Sequence, residues 1–132
     1  MTRMRSAITS VLMLGLIGTA MLSLPTLVAA KDGDIVRTGN CSGATDWKLK
    51  LSPENGRIEV EFEVDSNHNG QTWNVTLKND GNAFFTGTRM TKAPSGSFEV
   101  RKLSNNGAGS DMIVGRAVNQ ATGEVCRGSA TF

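Results

Sequence analysis

Residues 57–73, RIEVEFEVDSNHNGQTW, set an acid at nearly every second position and then run into Asn67, His68, Asn69 and Gly70. Carboxylates two apart on a strand stand ~6.7 Å from each other, inside the ~6.5–9.5 Å window of inverting glycosidases. Distance alone does not make an acid/base pair, because one carboxyl must keep a proton that the other has lost, in different surroundings. Glu59 and Glu61 would share one flat face with Lys48 and Lys50 of the preceding segment. The row therefore reads as the wet face of a strand, with no catalytic residue on it.

Other chemistry is sparse. His68 is the only histidine and sits between two asparagines, the setting of an exposed turn. A nucleophile–His arrangement would need His68 itself, and one His with two Cys makes no ordinary zinc set. Asp65-Ser66-Asn67-His68-Asn69-Gly70 matches the first half of an oxygen-ligand calcium loop, with Asp65, Asn67 and Asn69 at ligand positions. Thr76 stands where that loop needs a bidentate Glu, and the residues after Gly70 alternate like a strand. Asp65-Asn69 is thus a weak calcium candidate, its ordinary role being turn geometry. No cofactor is expected.

These residues must be carried by strands. Short runs of period-two alternation are separated by turn residues, and no apolar stripe at helical spacing lasts three turns. Trp47 to Leu51 alternates, Ser52 to Gly56 turns, and Ile58, Val60, Phe62 and Val64 alternate with acids. Trp73, Val75 and Leu77 follow, then Asp80-Gly81, a favoured hairpin pair. Further runs cover Ala83 to Met90, Phe98 to Arg101, Met112 to Val118 and Val125 to Phe132, with a first strand near Ile35 to Thr38. Roughly seven or eight short strands with turns every ~8–14 residues predict an all-β, antiparallel immunoglobulin-like or fibronectin-like sandwich. The chain has no Tyr, so a tyrosine corner is impossible.

Two registers follow from this pattern. Leu51 opposite Ile58 sets Lys50 against Glu59, Lys48 against Glu61 and Trp47 against Phe62, with every apolar residue on one side. Asp80-Gly81 as a two-residue loop sets Leu77 against Phe84 and leaves Phe85 outside. Trp47 and Trp73 fall in phase with the core, so a sugar-binding aromatic platform lacks its rings.

Residues 1–30 read as a signal peptide. Arg3 and Arg5 precede an apolar stretch from Ala7 to Leu24, Pro25 breaks it, and Val28-Ala29-Ala30 precedes polar Lys31. Cleavage is expected between Ala30 and Lys31; the alternative is an uncleaved anchor, against which Pro25 and the small-residue site argue. The remaining segment, 31–132, is one domain. Without Arg3 and Arg5, the 14 basic residues become 12, equal to the 12 acidic ones. A balanced surface gives no electrostatic reason to expect nucleic acid as partner, nor membrane insertion after cleavage.

Cys41 and Cys126 are the only cysteines and no CxxC motif is present. In an oxidising compartment they pair with each other; the alternative is two buried thiols. The bond would close a loop of about 86 residues, worth ~4.6 kcal/mol by chain entropy before any strain.

The segments Asp46 to Pro53, Gly56 to Val60, Gly70 to Trp73, Ala93 to Arg101 and Thr122 to Gly128 together resemble small secreted single-domain proteins of actinobacteria. The resemblance implies export and a β-sandwich, and carries no activity or catalytic residue. The expected protein is a secreted, non-enzymatic interaction or cell-envelope module whose extracellular or cell-wall partner is unknown. One alternative is a small enzyme inhibitor presenting Thr91 to Gly96 or Asn105 to Gly109. A weak calcium- or carbohydrate-binding module is the other.

Overall fold

Leu49, Leu51, Ile58, Val60, Phe62 and Val64 recur at every second position, and each is fully buried. Side chains of a strand alternate between its two faces, so this spacing forces one dry face and one wet face. The computed structural model describes residues 33–132; the expected signal segment 1–30 and its Ala30/Lys31 cleavage position lie outside the described residues.

Eight strands follow in order: β1 Ile35–Asn40, β2 Asp46–Glu54, β3 Arg57–Asp65, β4 Thr72–Asn79, β5 Asn82–Met90, β6 Ser97–Asn105, β7 Met112–Asn119 and β8 Val125–Thr131. They form two four-stranded sheets, β1-β2-β3-β6 and β5-β4-β7-β8. Every pairing is antiparallel. The inner faces of both sheets share one core, with Trp73, Phe62, Leu77 and Ile113 among its largest side chains. Among the described residues no helix is long and apolar enough to cross a membrane.

The β2–β3 register is two residues away from the one expected. Leu51 pairs with Val60, Leu49 with Phe62 and Trp47 with Val64. The reason is the turn. Asn55 and Gly56 both adopt positive φ, 49° and 78°, the two-residue loop that matches strand twist. β2 therefore runs on through Pro53, which the expected turn had absorbed. Pro53 is tolerated because β1 pairs with β2 only up to Leu51, so its missing N–H interrupts no ladder there. A shift of two keeps every side chain on its face, so the core is as expected and only the ion-pair partners change.

The β4–β5 hairpin does turn at Asp80-Gly81, with φ of 47° and 84°. A bulge at Leu77/Lys78 then sets Leu77 opposite Phe85 rather than Phe84. Both phenylalanines pack against the core, so Phe85 is not the outward ring that simple alternation predicts. An extra residue in one strand cannot be seen from that strand's pattern alone.

One side of the sandwich is fastened shut. Cys41, just after edge strand β1, is bonded to Cys126 on edge strand β8, joining the two sheets. Beside the bond, Trp47 fills the space between Gly39 and Gly128, where an added Cβ would lie 2.6 and 2.5 Å from its ring.

Candidate functional site

The carboxylate row is a wet face tied together by charge. Lys50 opposes Glu61 and Lys48 opposes Glu63, while Glu59 stands between Ser52 and Leu103. Glu61 is only 8% exposed. One of its oxygens takes Lys50 Nζ at 3.3 Å and the other meets the Arg101 guanidinium, which also reaches Glu99 at 3.5 Å. Lys50 extends the chain to Asp34 at 3.6 Å. The Glu61 hydrogen bond and charge, with Asp34 behind them, raise the Lys50 pKa above its ordinary value. Glu61 and neighbouring Glu59 and Glu99 likewise raise that of Arg101. Both Glu61 oxygens are thus held by cations from neighbouring strands.

The Asp65–Gly70 segment is a braced connection from β3 to β4. Asp65 Oδ1 accepts the Asn67 N–H at 3.0 Å, and Asn67 takes a left-handed φ of 59°. Thr91 Oγ1 donates to the His68 carbonyl at 2.6 Å and accepts the Gln71 N–H at 2.9 Å. Ser66 Oγ lies 3.2 Å from the Gly96 carbonyl, and the Ser66 N–H also bonds that carbonyl at 3.0 Å. The Thr91–Gly96 loop is therefore locked onto this turn, with Gly96 pressed so close to the His68 backbone that no Cβ fits. Among the described residues no group of three His, Cys, Asp or Glu side chains is placed to hold a metal.

Three polar side chains that the alternation pattern does not reveal organise the loops. Glu124 accepts the N–H groups of Gly43 and Thr45 at 2.9 and 3.1 Å and the Thr45 hydroxyl at 2.8 Å. It ties the β1–β2 loop to the start of β8 beside the disulfide. Asn79 donates to Ser104 Oγ and the Asn105 carbonyl, both at 2.9 Å, and lies 3.1 Å from Asp111 Oδ1. Buried Asp111 also accepts the Gly107 N–H at 3.1 Å, which holds the Asn105–Gly109 loop against the body. The partners of Glu124 and Asn79 are remote in sequence, so no local signal could announce them, whereas Gly107 lies only four residues from Asp111.

The two outer faces differ in charge. On β2, β3 and β6 the outward positions carry acids (Asp46, Glu54, Glu59, Glu61, Glu63, Asp65 and Glu99) among Lys48, Lys50, Arg57 and Arg101. On the opposite sheet the outward charges are Lys78, Arg116 and Arg127, with threonines, valines and methionines and no carboxylate. Arg116 and Arg127 lie directly opposite each other. Lys78 and both arginines line a shallow depression of about 420 Å³ with Thr76, Val114 and Met112. Asp80 stands near its rim in sequence, with its Oδ1 accepting the Met112 N–H at 2.9 Å. The equal numbers of acidic and basic residues in 31–132 thus hide two unlike faces, which composition cannot express.

Comparison with known protein families, with curated proteins and with solved structures found no match to this chain.

Proposed function

We propose that this protein is an exported, non-enzymatic binding module of immunoglobulin-like or fibronectin-like type, acting outside the cell or at its envelope. Connectivity supports the type. With β1 as an added edge strand, β2-β3-β6 and β5-β4-β7-β8 follow the A-B-E and C′-C-F-G orders of such sandwiches. Export is supported by the disulfide between the edge strands, by the leader-like residues 1–30 and by the resemblance to small exported actinobacterial proteins.

The observation that carries the binding role is the acid-free cationic face of Lys78, Arg116 and Arg127. A non-enzymatic role is favoured by the pairing of both Glu61 oxygens with Lys50 and Arg101, which holds that carboxylate between two cations. The test is capture of partners from culture medium and cell-wall fractions by the immobilised oxidised protein, beside an Arg116→Gln/Arg127→Gln double variant. A partner retained by the parent and lost by the variant supports the reading. Equal capture by both removes the face from it, and turnover of a small molecule by the parent ends it.

A second reading, a small inhibitor of a foreign enzyme, is favoured by the bracing of the exposed Lys92–Ser95 turn against the 66–71 connection. Tight binding of a protease that leaves this turn uncut distinguishes it.

A further inference from the structure

Like charges placed directly opposite on adjacent antiparallel strands destabilise a sheet. Arg116 and Arg127 are such a pair, and both are exposed. Lys78 joins them from the next strand over, since it pairs with Val114, two residues from Arg116. Among the described residues, none of the three side chains takes part in an ion pair or hydrogen bond. On the other outer face, by contrast, Lys50 and Arg101 converge on Glu61. Two cations of that sheet are thus compensated by carboxylates, whereas Lys78, Arg116 and Arg127 stand on a face whose outward positions carry no carboxylate.

The shape of the place adds to the charge. The depression of about 420 Å³ falls in the range of small-molecule clefts, ~300–1,000 Å³. Guanidinium groups match the oxygens of phosphate through paired N–H donors. Thr76 supplies a hydroxyl at the same spot, while Val114 and the half-exposed Met112 offer an apolar wall for a carbon skeleton. Three cations and a hydroxyl suit a doubly charged tetrahedral oxyanion better than a single carboxylate, which one arginine fork would satisfy.

We infer that Lys78, Arg116 and Arg127 form a binding site for the phosphate group of a small phosphate ester on the outer face of β4, β7 and β8. The site rests on the binding-module reading and gives it a ligand class. Occupancy relieves the Arg116–Arg127 repulsion, so the ligand stabilises the fold as it binds.

The test is titration of the oxidised protein, exported from a host expressing the full chain, with inorganic phosphate, glycerol phosphate and acetate at low salt. Amide resonances and the melting temperature are followed together. The expected result is saturable shifts confined to residues around Thr76, Val114, Arg116 and Arg127, and binding of either phosphate at least tenfold tighter than acetate. Arg116→Gln and Arg127→Gln should each weaken binding at least fivefold while leaving the empty protein equally or more heat-stable; Lys48→Gln, on the other face, should change nothing. Shifts spread equally over Lys48, Arg57 and Arg101, or equal affinity for acetate, would overturn the site. So would salt-dependent self-association or capture by anionic vesicles without binding of the small esters. If phosphate binds nowhere while the parent still captures a partner that the double variant loses, the ligand class fails and the binding module stands.

Discussion

The indole of Trp47 occupies the space that a side chain on Gly128 would need: a Cβ there would lie 2.5 Å from two ring carbons. Trp47 stands on β2 and Gly128 on β8, so this contact sets how closely the two sheets approach beside the disulfide. Overpacking a well-filled interior typically costs ~1–3 kcal/mol. Gly128→Ala should therefore lower the denaturation midpoint by an amount in that range. The same change at Gly56, whose Cβ would meet nothing within 4 Å but whose φ is 78°, reports backbone strain alone. Urea melts of the two variants beside the parent separate packing from conformation; a Gly128→Ala midpoint equal to the parent's would remove the packing argument.

The Cys41–Cys126 bond joins residues 85 apart in sequence. Loss of a native disulfide from a small domain typically costs ~2–5 kcal/mol. A Cys41→Ala/Cys126→Ala pair should melt well below the parent but retain a β-type circular dichroism spectrum, because the buried Leu, Ile, Val, Phe and Trp side chains of the shared core are unchanged. In the parent, neither sulfur should take up an alkylating agent until a reductant is added, which mass spectrometry reads directly.

Lys50 predicts an alkaline dependence of stability. Its pKa is raised in the fold by the hydrogen bond and charge of Glu61 and by Asp34. A raised folded-state value means the contribution is fully present below the ordinary lysine pKa of 10.5 and fades as pH climbs through the folded one. The parent should thus lose stability in that alkaline window more steeply than Lys50→Met, compared by midpoint against pH. Parallel curves would show that the Lys50–Glu61 pair adds nothing, as many exposed pairs do.

Phe85 is flanked by Arg89, 5.0 Å from its ring centre, and by Lys102 at 5.1 Å from the opposing sheet. Arg89 pairs with Trp73 and Lys102 with Val60, so both cations hold inward positions on the edge strands β5 and β6. Inward charges on edge strands discourage edge-to-edge pairing with another chain. Arg89→Val/Lys102→Val should raise the sedimentation coefficient as concentration increases, under conditions where the parent does not change. A double variant that behaves like the parent would leave the two cations as ring contacts only.

For the Asp65–Asn69 turn the expectation is no response to calcium. Its carboxylate already accepts a backbone N–H, and Thr91 and Ser66 hold the surrounding carbonyls. The melting midpoint should be the same with millimolar calcium and with chelator. A rise that Asp65→Asn abolishes would restore the metal site.

Much of the fold was legible because alternation is local. From Trp47 to Leu51 and from Ile58 to Val64, a side chain's face is decided by whether its position is odd or even, and burial of the oily set follows. Two cysteines allow a single intramolecular bond, so Cys41–Cys126 could be written from composition together with the expected oxidising compartment. Register was less legible. Asn55-Gly56 closes the turn more tightly than the five-residue stretch around it suggests, and the bulge at Leu77/Lys78 turns Phe85 inward. Both depend on energies shared with the partner strand. Least visible was the sorting of charge. Lys78, Arg116 and Arg127 are scattered among acids along the chain, and only the β4–β7–β8 pairing gathers them on a face that holds no carboxylate. Parity along a strand belongs to the polypeptide itself, whereas which strands become neighbours is settled by how two sheets fill one interior. The dry side could therefore be read from order alone, and the chemistry of the wet side had to wait for the packing.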